Sequence, residues 1–329
     1  MTDTESEVLS NYNKAFTLLK ENTPEQRLDV QLPYETFLEL DQARSAEGIS
    51  EDQRYPSLAY NSLTQTVTVV TCPSSSIHEG AAGWLENKIF NYVEDYLSTR
   101  SAHTVGNIFV TRSTTESFGL GEYTRSRKEP DGGLLYVTRF GTGEVMVAIE
   151  VGTIETYGKL LDDKDMWING KAVNVVILVC FTESPRFRNP DTWYTNIAGV
   201  RAEKIAMGQS LAETVETNNA LGYYGPLEYR GHRWIGELSE AFIEVWRPGS
   251  HERFDLIQDG FDLANEYLPV TLNIKISDVY PHDEWQTANV EDNIIPFDSR
   301  AFLVSVMGRM RIVAGTRLEL YLHEKLGLH

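Results

Sequence analysis

Apolar positions along this chain either alternate or bunch into short runs, and the two patterns predict different elements. Thr64-Gln65-Thr66-Val67-Thr68-Val69-Val70-Thr71 alternates and is rich in β-branched residues, which predicts a strand. Ser57-Leu58-Ala59-Tyr60, just before Asn61-Ser62-Leu63, completes a hairpin with it. Between residues 78 and 100, Trp84, Leu85, Ile89, Phe90, Val93 and Leu97 recur mainly at spacings of three and four. That is an amphipathic helix, with serines upstream as caps. Residues 107–111 read as a short strand. Residues 134–137 and 145–149 read as two more, joined through Gly141-Thr142-Gly143-Glu144, whose glycines tolerate the positive φ of a hairpin turn. Residues 155–168 predict a helix ended by Asn169-Gly170. Residues 173–181 form a nearly all-apolar run that belongs in a sheet covered on both faces. Beyond Pro185 the pattern weakens: 197–211 is mixed, 234–246 fits strand or helix, 261–268 leads into an alternating strand over 269–276, and 300–326 predicts a long helix. Residues 1–56 read as an N-terminal arm, polar apart from an amphipathic helix near 10–21.

Composition narrows the class. With 41% hydrophobic residues, 13 Phe, 16 Tyr and 6 Trp in 329 residues, the chain can build one large core or a core with an appended layer. No apolar run approaches the roughly 20 residues that span a bilayer. The acidic start, Met1-Thr2-Asp3-Thr4-Glu5-Ser6-Glu7, lacks a signal-peptide core. An intracellular protein, cytoplasmic or nuclear and free of membrane, is expected. The two cysteines, Cys72 and Cys180, lack metal-ligand spacing and read as buried thiols. The seven histidines contain no H-E-x-x-H pattern, which sets zinc chemistry aside.

A net charge of −19 opposes nonspecific duplex binding, which cations drive by releasing counterions from phosphates. A local patch is still available at Arg125-Ser126-Arg127-Lys128, whose Arg125, Arg127 and Lys128 are candidates for holding a nucleic-acid backbone or for balancing nearby acids. Arg309, Arg311 and Arg317 read equally well as the wet face of a helix. Trp193, Tyr194, Tyr223, Tyr224, Trp234 and Trp246 offer either core or a self-association surface for a homodimer.

The chemistry concentrates after the basic run. Pro130-Asp131-Gly132 opens one predicted strand, and Glu150 closes the next one 19 residues after Asp131. If the strands pair, both carboxylates reach one edge, where either one takes a proton or a divalent cation sits between them. Hard oxygen ligands favour Mg2+ or Mn2+. Asp131 alone also fits a turn after proline. Glu150, following five apolar residues, needs a partner once buried.

The order helix-strand-strand-strand-helix-strand, carrying Pro130-Asp131-Gly132 and Ile149-Glu150-Val151-Gly152 on adjacent strands, resembles the restriction-endonuclease-like PD-(D/E)XK superfamily. Pro73-Ser74-Ser75-Ser76-Ile77-His78-Glu79 before the first helix narrows the likeness to the Uma-type putative restriction endonucleases and their fungal relatives. The likeness covers about residues 57–184. It implies an α/β fold with a mixed central sheet of the restriction-endonuclease-like type over 57–190, between the arm and a C-terminal α+β extension over 191–329 that ends in a long helix. It also implies a Mg2+- or Mn2+-dependent endonuclease acting on DNA or RNA. Asp131, Glu150 and the Val151 carbonyl would be its ligands, with Glu79 as an added acid from the first helix. Gly152 stands where the superfamily has its lysine, and Lys159 on the following helix is the replacement the resemblance suggests; a surface pair with Glu155 is the alternative. The departure at Gly152 leaves a second expectation open: a catalytically degenerate fold kept as a binding or regulatory module.

Overall fold

The computed structural model describes residues 3–20, 27–49, 56–71, 76–98, 106–111, 115–138, 140–153, 157–191, 199–221, 223–257, 271–288 and 291–327. In chain order the first elements are α1 (Asp3–Lys20), β1 (Arg27–Gln31), α2 (Tyr34–Ala46), β2 (Ser57–Asn61) and β3 (Thr66–Val70). Next come α3 (Ser76–Ser98), β4 (Asn107–Val110), β5 (Glu116–Ser117), β6 (Arg127–Lys128), β7 (Gly132–Val137) and β8 (Gly143–Gly152). They are followed by α4 (Tyr157–Met166), β9 (Val175–Ser184), α5 (Val200–Leu221), β10 (Leu227–Tyr229), β11 (His232–Ile235), β12 (Glu237–Arg247) and β13 (Ser250–Ile257). The last two are α6 (His282–Ala288) and α7 (Ser299–Leu326). The fold is mixed α/β, with seven α-helices among the described residues.

A six-stranded sheet in the order β13-β12-β9-β8-β7-β4 forms the centre. Among the described strands, β8 and β9 alone pair in parallel, which requires a crossover between them, and α4 supplies it. β9 is the run for which cover on both faces was predicted, and β8 beside it is buried on both faces as well. On one face α3, α5 and α7 bury Leu85, Ile89, Met207, Leu211, Phe302 and Met310 against Val147, Ile149, Val175 and Ile177. On the other, Leu160, Met166 and Trp167 pack on Ala148, Val176, Leu178 and Phe242.

The first 70 residues do more than an arm would. The predicted hairpin pairs as β2–β3, but it joins β1, β6 and β5 in a separate five-stranded sheet, β1-β3-β2-β6-β5, rather than the central one. With α1 and α2 it encloses a core of Leu19, Leu32, Phe37, Leu40, Tyr60 and Val67. Phe37 and Tyr60 stack at 4.6 Å inside it.

Other boundaries moved for local reasons. The helix read over 155–168 runs as α4 and continues into a π-helical turn, Trp167–Lys171. Gly170 does not stop it: a Cβ there would lie 2.6 Å from Tyr123, so the glycine answers to packing. The strand read over 269–276 is corrected. Leu272, Ile274 and Ile276 are alternately buried, but Asn273 takes φ 45° and, among the described residues, the segment makes a single isolated bridge, Lys275 with Ile294. Residues 234–246 are strand, in β11 and β12. Trp234 and Tyr224 are core, Tyr223 is exposed, and Trp193, Tyr194, Cys72 and residues 261–270 lie outside the described residues. No helix among the described residues is long and apolar enough to cross a membrane.

Candidate active site

Side-chain parity along β8 decides what meets at its end. Val147, Ile149 and Val151 pack with the three-helix face and Ala148 with the α4 face, so Glu150 and Gly152 also turn toward α4. Glu150 is only 2% exposed. Its Oε1 accepts a hydrogen bond from Trp167 Nε1 at 2.5 Å, a donor placed there by the π turn. Its Oε2 lies 3.1 Å from Lys128 Nζ, which also reaches Asp163 Oδ2 on α4 at 2.9 Å.

Asp131 sits directly before β7, whose Gly132 pairs with Ile149, so the hairpin sets it beside the end of β8 as expected. Its Oδ2 accepts the Val151 N–H at 2.8 Å and stands 2.9 Å from His78 Nε2 on α3. The first acid is thus clamped by the backbone of the strand that carries the second. Behind them Glu86, also buried on α3, accepts the Gly133 N–H at 3.1 Å.

Electrostatics separate the two acids. Burial alone would raise Asp131, but His78, Lys128 and the Val151 amide outweigh it and hold the carboxyl down at about 2. Burial pushes Glu150 well above the ordinary carboxylate range; Lys128 and Trp167 oppose this, while Asp131 and Asp163 add to it. Burial also works against the Lys128 ammonium, yet Asp163, Glu150 and Asp131 together raise its pKa and keep it charged. The environment thus favours the ionised form of Asp131 and works against ionisation of Glu150, with the Lys128 cation within 3.1 Å of two carboxylates.

A cavity of about 100 Å³ opens on this cluster. One wall is the N-terminal sheet, through Ser57–Asn61, Thr68 and Val70; the other carries Lys128, Asp131, Glu150, Lys159 and Asp163. Lys159 therefore lines the same cleft, with its Nζ 3.9 Å from Asp29 on β1; Glu155, its alternative partner, lies outside the described residues.

The basic run does not act as one patch. Arg125 lies over the Tyr34 ring at 5.0 Å, Arg127 pairs with Asp41 at 2.6 Å, and Lys128 points inward to the acids. The two arginines pin the loop to the N-terminal layer. Glu79 is absent from the acid cleft and faces a second groove, between α3 and α7, which Asp131 also borders. From α3 it is His78 that touches Asp131. Sequence reasoning missed Asp163 and Trp167 at the site; helical spacing of four from Lys159 was the available signal for Asp163.

Gly152 has a steric cause. A Cβ there would come within 2.7 Å of Leu160 Cδ1, so the bare strand end lets α4 pack down. Gly152→Lys is therefore expected to destabilise the fold by about 1–3 kcal/mol through overpacking, checked by urea unfolding, and to leave any cleavage no faster.

Two carboxylates that could serve a hard divalent ion line the cleft, Asp131 just before β7 and Glu150 on β8, while Val151 is not among its lining residues. No group of three or more His, Cys, Asp or Glu side chains is arranged to hold a metal among the described residues. An ion here would keep several waters, as magnesium does on one or two carboxylates. No family model, no curated protein and no solved structure matches the chain, so its functional reading rests on these residues.

Proposed function

We propose that the protein is a metal-dependent nuclease of the restriction-endonuclease-like type, hydrolysing phosphodiester bonds in DNA or RNA. The observation that carries this reading is the convergence of Asp131 and Glu150, from paired strands, on one cleft that also holds Lys128 and Lys159. The order α3, β4, β7, β8, α4, β9 supports the same fold assignment. Magnesium or manganese on Asp131, Glu150 and the Val151 carbonyl would supply polarisation of the scissile phosphate and a more acidic water. His78 and the Val151 amide keep the Asp131 carboxylate ionised and aimed. A bound cation would favour the ionised form of Glu150, against the burial that raises its pKa. The Lys128 ammonium, with Asp163 holding it on the far side, stabilises charge that builds on the phosphate, and Lys159, lining the same wall, orients the attacking water.

A second reading has its own support. Lys128 already neutralises part of the acidic cluster and Gly152 bears no side chain, as in a degenerate fold retained as a binding or regulatory module. Calorimetric titration with Mn2+ separates the two. The nuclease reading expects one stoichiometric site that Asp131→Asn removes, with protons released on binding because Glu150 must ionise. No stoichiometric heat in the wild-type protein would favour the module.

A further inference from the structure

We infer that the groove between α3 and α7 is the channel through which one unpaired nucleic-acid strand reaches Asp131. The inference rests on the nuclease reading for what happens at the acids, but not for binding in the groove. Access comes first. Glu150 has 2% of its side chain exposed and Asp131 20%, and the N-terminal sheet roofs the 100 Å³ cavity above them. A phosphate fixed in a rigid duplex cannot reach such a site, whereas a flexible strand can.

Asp131 borders a second opening of about 620 Å³ and is, among the described residues, the one that lines both it and the roofed cavity. Gly80, Gly83, Asn87 and Asn91 follow one another at spacings of three and four along a face of α3, so the floor runs roughly 16 Å at 1.5 Å per residue. A Cβ on Gly83 would meet nothing within 4 Å, which leaves room for a backbone to lie against the helix. Arg309, exposed on α7, stretches across Gly80, and Lys88 lines the α3 side. Two cations and the Asn91 carboxamide suit phosphates and base edges of one strand, while Asn87 Nδ2 donates to the Gly83 carbonyl at 2.6 Å. Carboxylates are present too: Glu86 is engaged with the Gly133 amide, and Glu79 stands at the end nearest His78. They would keep affinity modest, and the two cationic contacts would make binding fall with salt.

The test is fluorescence anisotropy in EDTA with labelled oligo-dT, oligo-U and a short blunt DNA duplex. Wild-type protein should bind either single strand more tightly than the duplex. Gly83→Leu, which fills the floor with a better helix former, should weaken strand binding about tenfold or more while circular dichroism and melting stay native-like. The double variant Lys88→Glu, Arg309→Glu should weaken it as much and flatten the log–log salt slope by roughly two. Duplex binding as tight as single-strand binding, no binding of either strand, or indifference to both variants would overturn the channel. Mn2+ titration keeps the two claims apart. A metal site with no strand binding sinks the channel alone, and Gly83-sensitive strand binding without a metal site sinks the nuclease reading alone.

Discussion

Lys128→Met should cost about 3–5 kcal/mol of folding stability, the penalty typical of removing one partner from a buried charge cluster. Lys128 stands within 3.1 Å of Glu150 and Asp163 with 15% of its side chain exposed, so solvent replaces little of what it provides. The loss should also depend on pH. Glu150 has a raised folded pKa, so its contribution is complete below its ordinary value near 4.5 and is lost as pH rises through the folded value. Removing Lys128 raises that folded value further. The gap between wild type and variant should therefore widen as pH rises through the folded value of Glu150 in urea unfolding curves. Asp131 behaves oppositely: its contribution is present above its ordinary value of 3.8 and disappears as pH falls toward about 2. A gap that stays constant across this range would mean that Lys128 is not the cation compensating these acids.

Asp131→Asn should lower metal-dependent cleavage by at least about 10³-fold, or roughly 4 kcal/mol of transition-state stabilisation. The substitution is informative because it leaves the scaffold in place. An amide oxygen still accepts the Val151 N–H that Asp131 now receives at 2.8 Å, and the side chain is nearly the same size. What disappears is the charge that pairs with His78 and that a divalent ion requires. Steady-state cleavage measured alongside thermal melting distinguishes lost chemistry from lost fold.

Four strands of the central sheet, β4, β7, β8 and β9, were legible from their own burial pattern, whereas β12 read as strand or helix and the mostly exposed β13 gave no pattern. The runs in β8 and β9 are apolar on both faces and lie in the middle of the sheet, and the glycine-rich turn after β7 fixes Asp131 beside the end of β8. The long helix α7 was legible from its periodicity. The N-terminal layer was not, since β1 is a five-residue strand with one buried position and α2 buries only Phe37, Leu40 and Arg44. Neither element has a strong pattern until the β2–β3 hairpin is known to pair with β1 and β6.

Lys128 illustrates a different limit. Its neighbours Arg125 and Arg127 share its charge, and composition alone groups the three together. Backbone direction separates them: Arg125 takes φ 90° and turns to Tyr34, Arg127 pairs outward with Asp41, and Lys128 enters the core on β6. Asp163 was hidden for a related reason, because α4 presents its acids to a partner that lies 35 residues earlier in the chain. Glu79 and His78 are adjacent on α3 yet face different clefts, and only the helix phase decides which one meets Asp131.

The account stands on Asp131 and Glu150 acting together through a divalent cation. The direct measurement is cleavage of single-stranded and duplex DNA and RNA by purified wild-type protein and by Asp131→Ala and Glu150→Ala variants, each with Mg2+, with Mn2+ and with EDTA. Cleavage that requires the metal and vanishes in both variants is the predicted result; cleavage that persists in EDTA or survives both substitutions would contradict it.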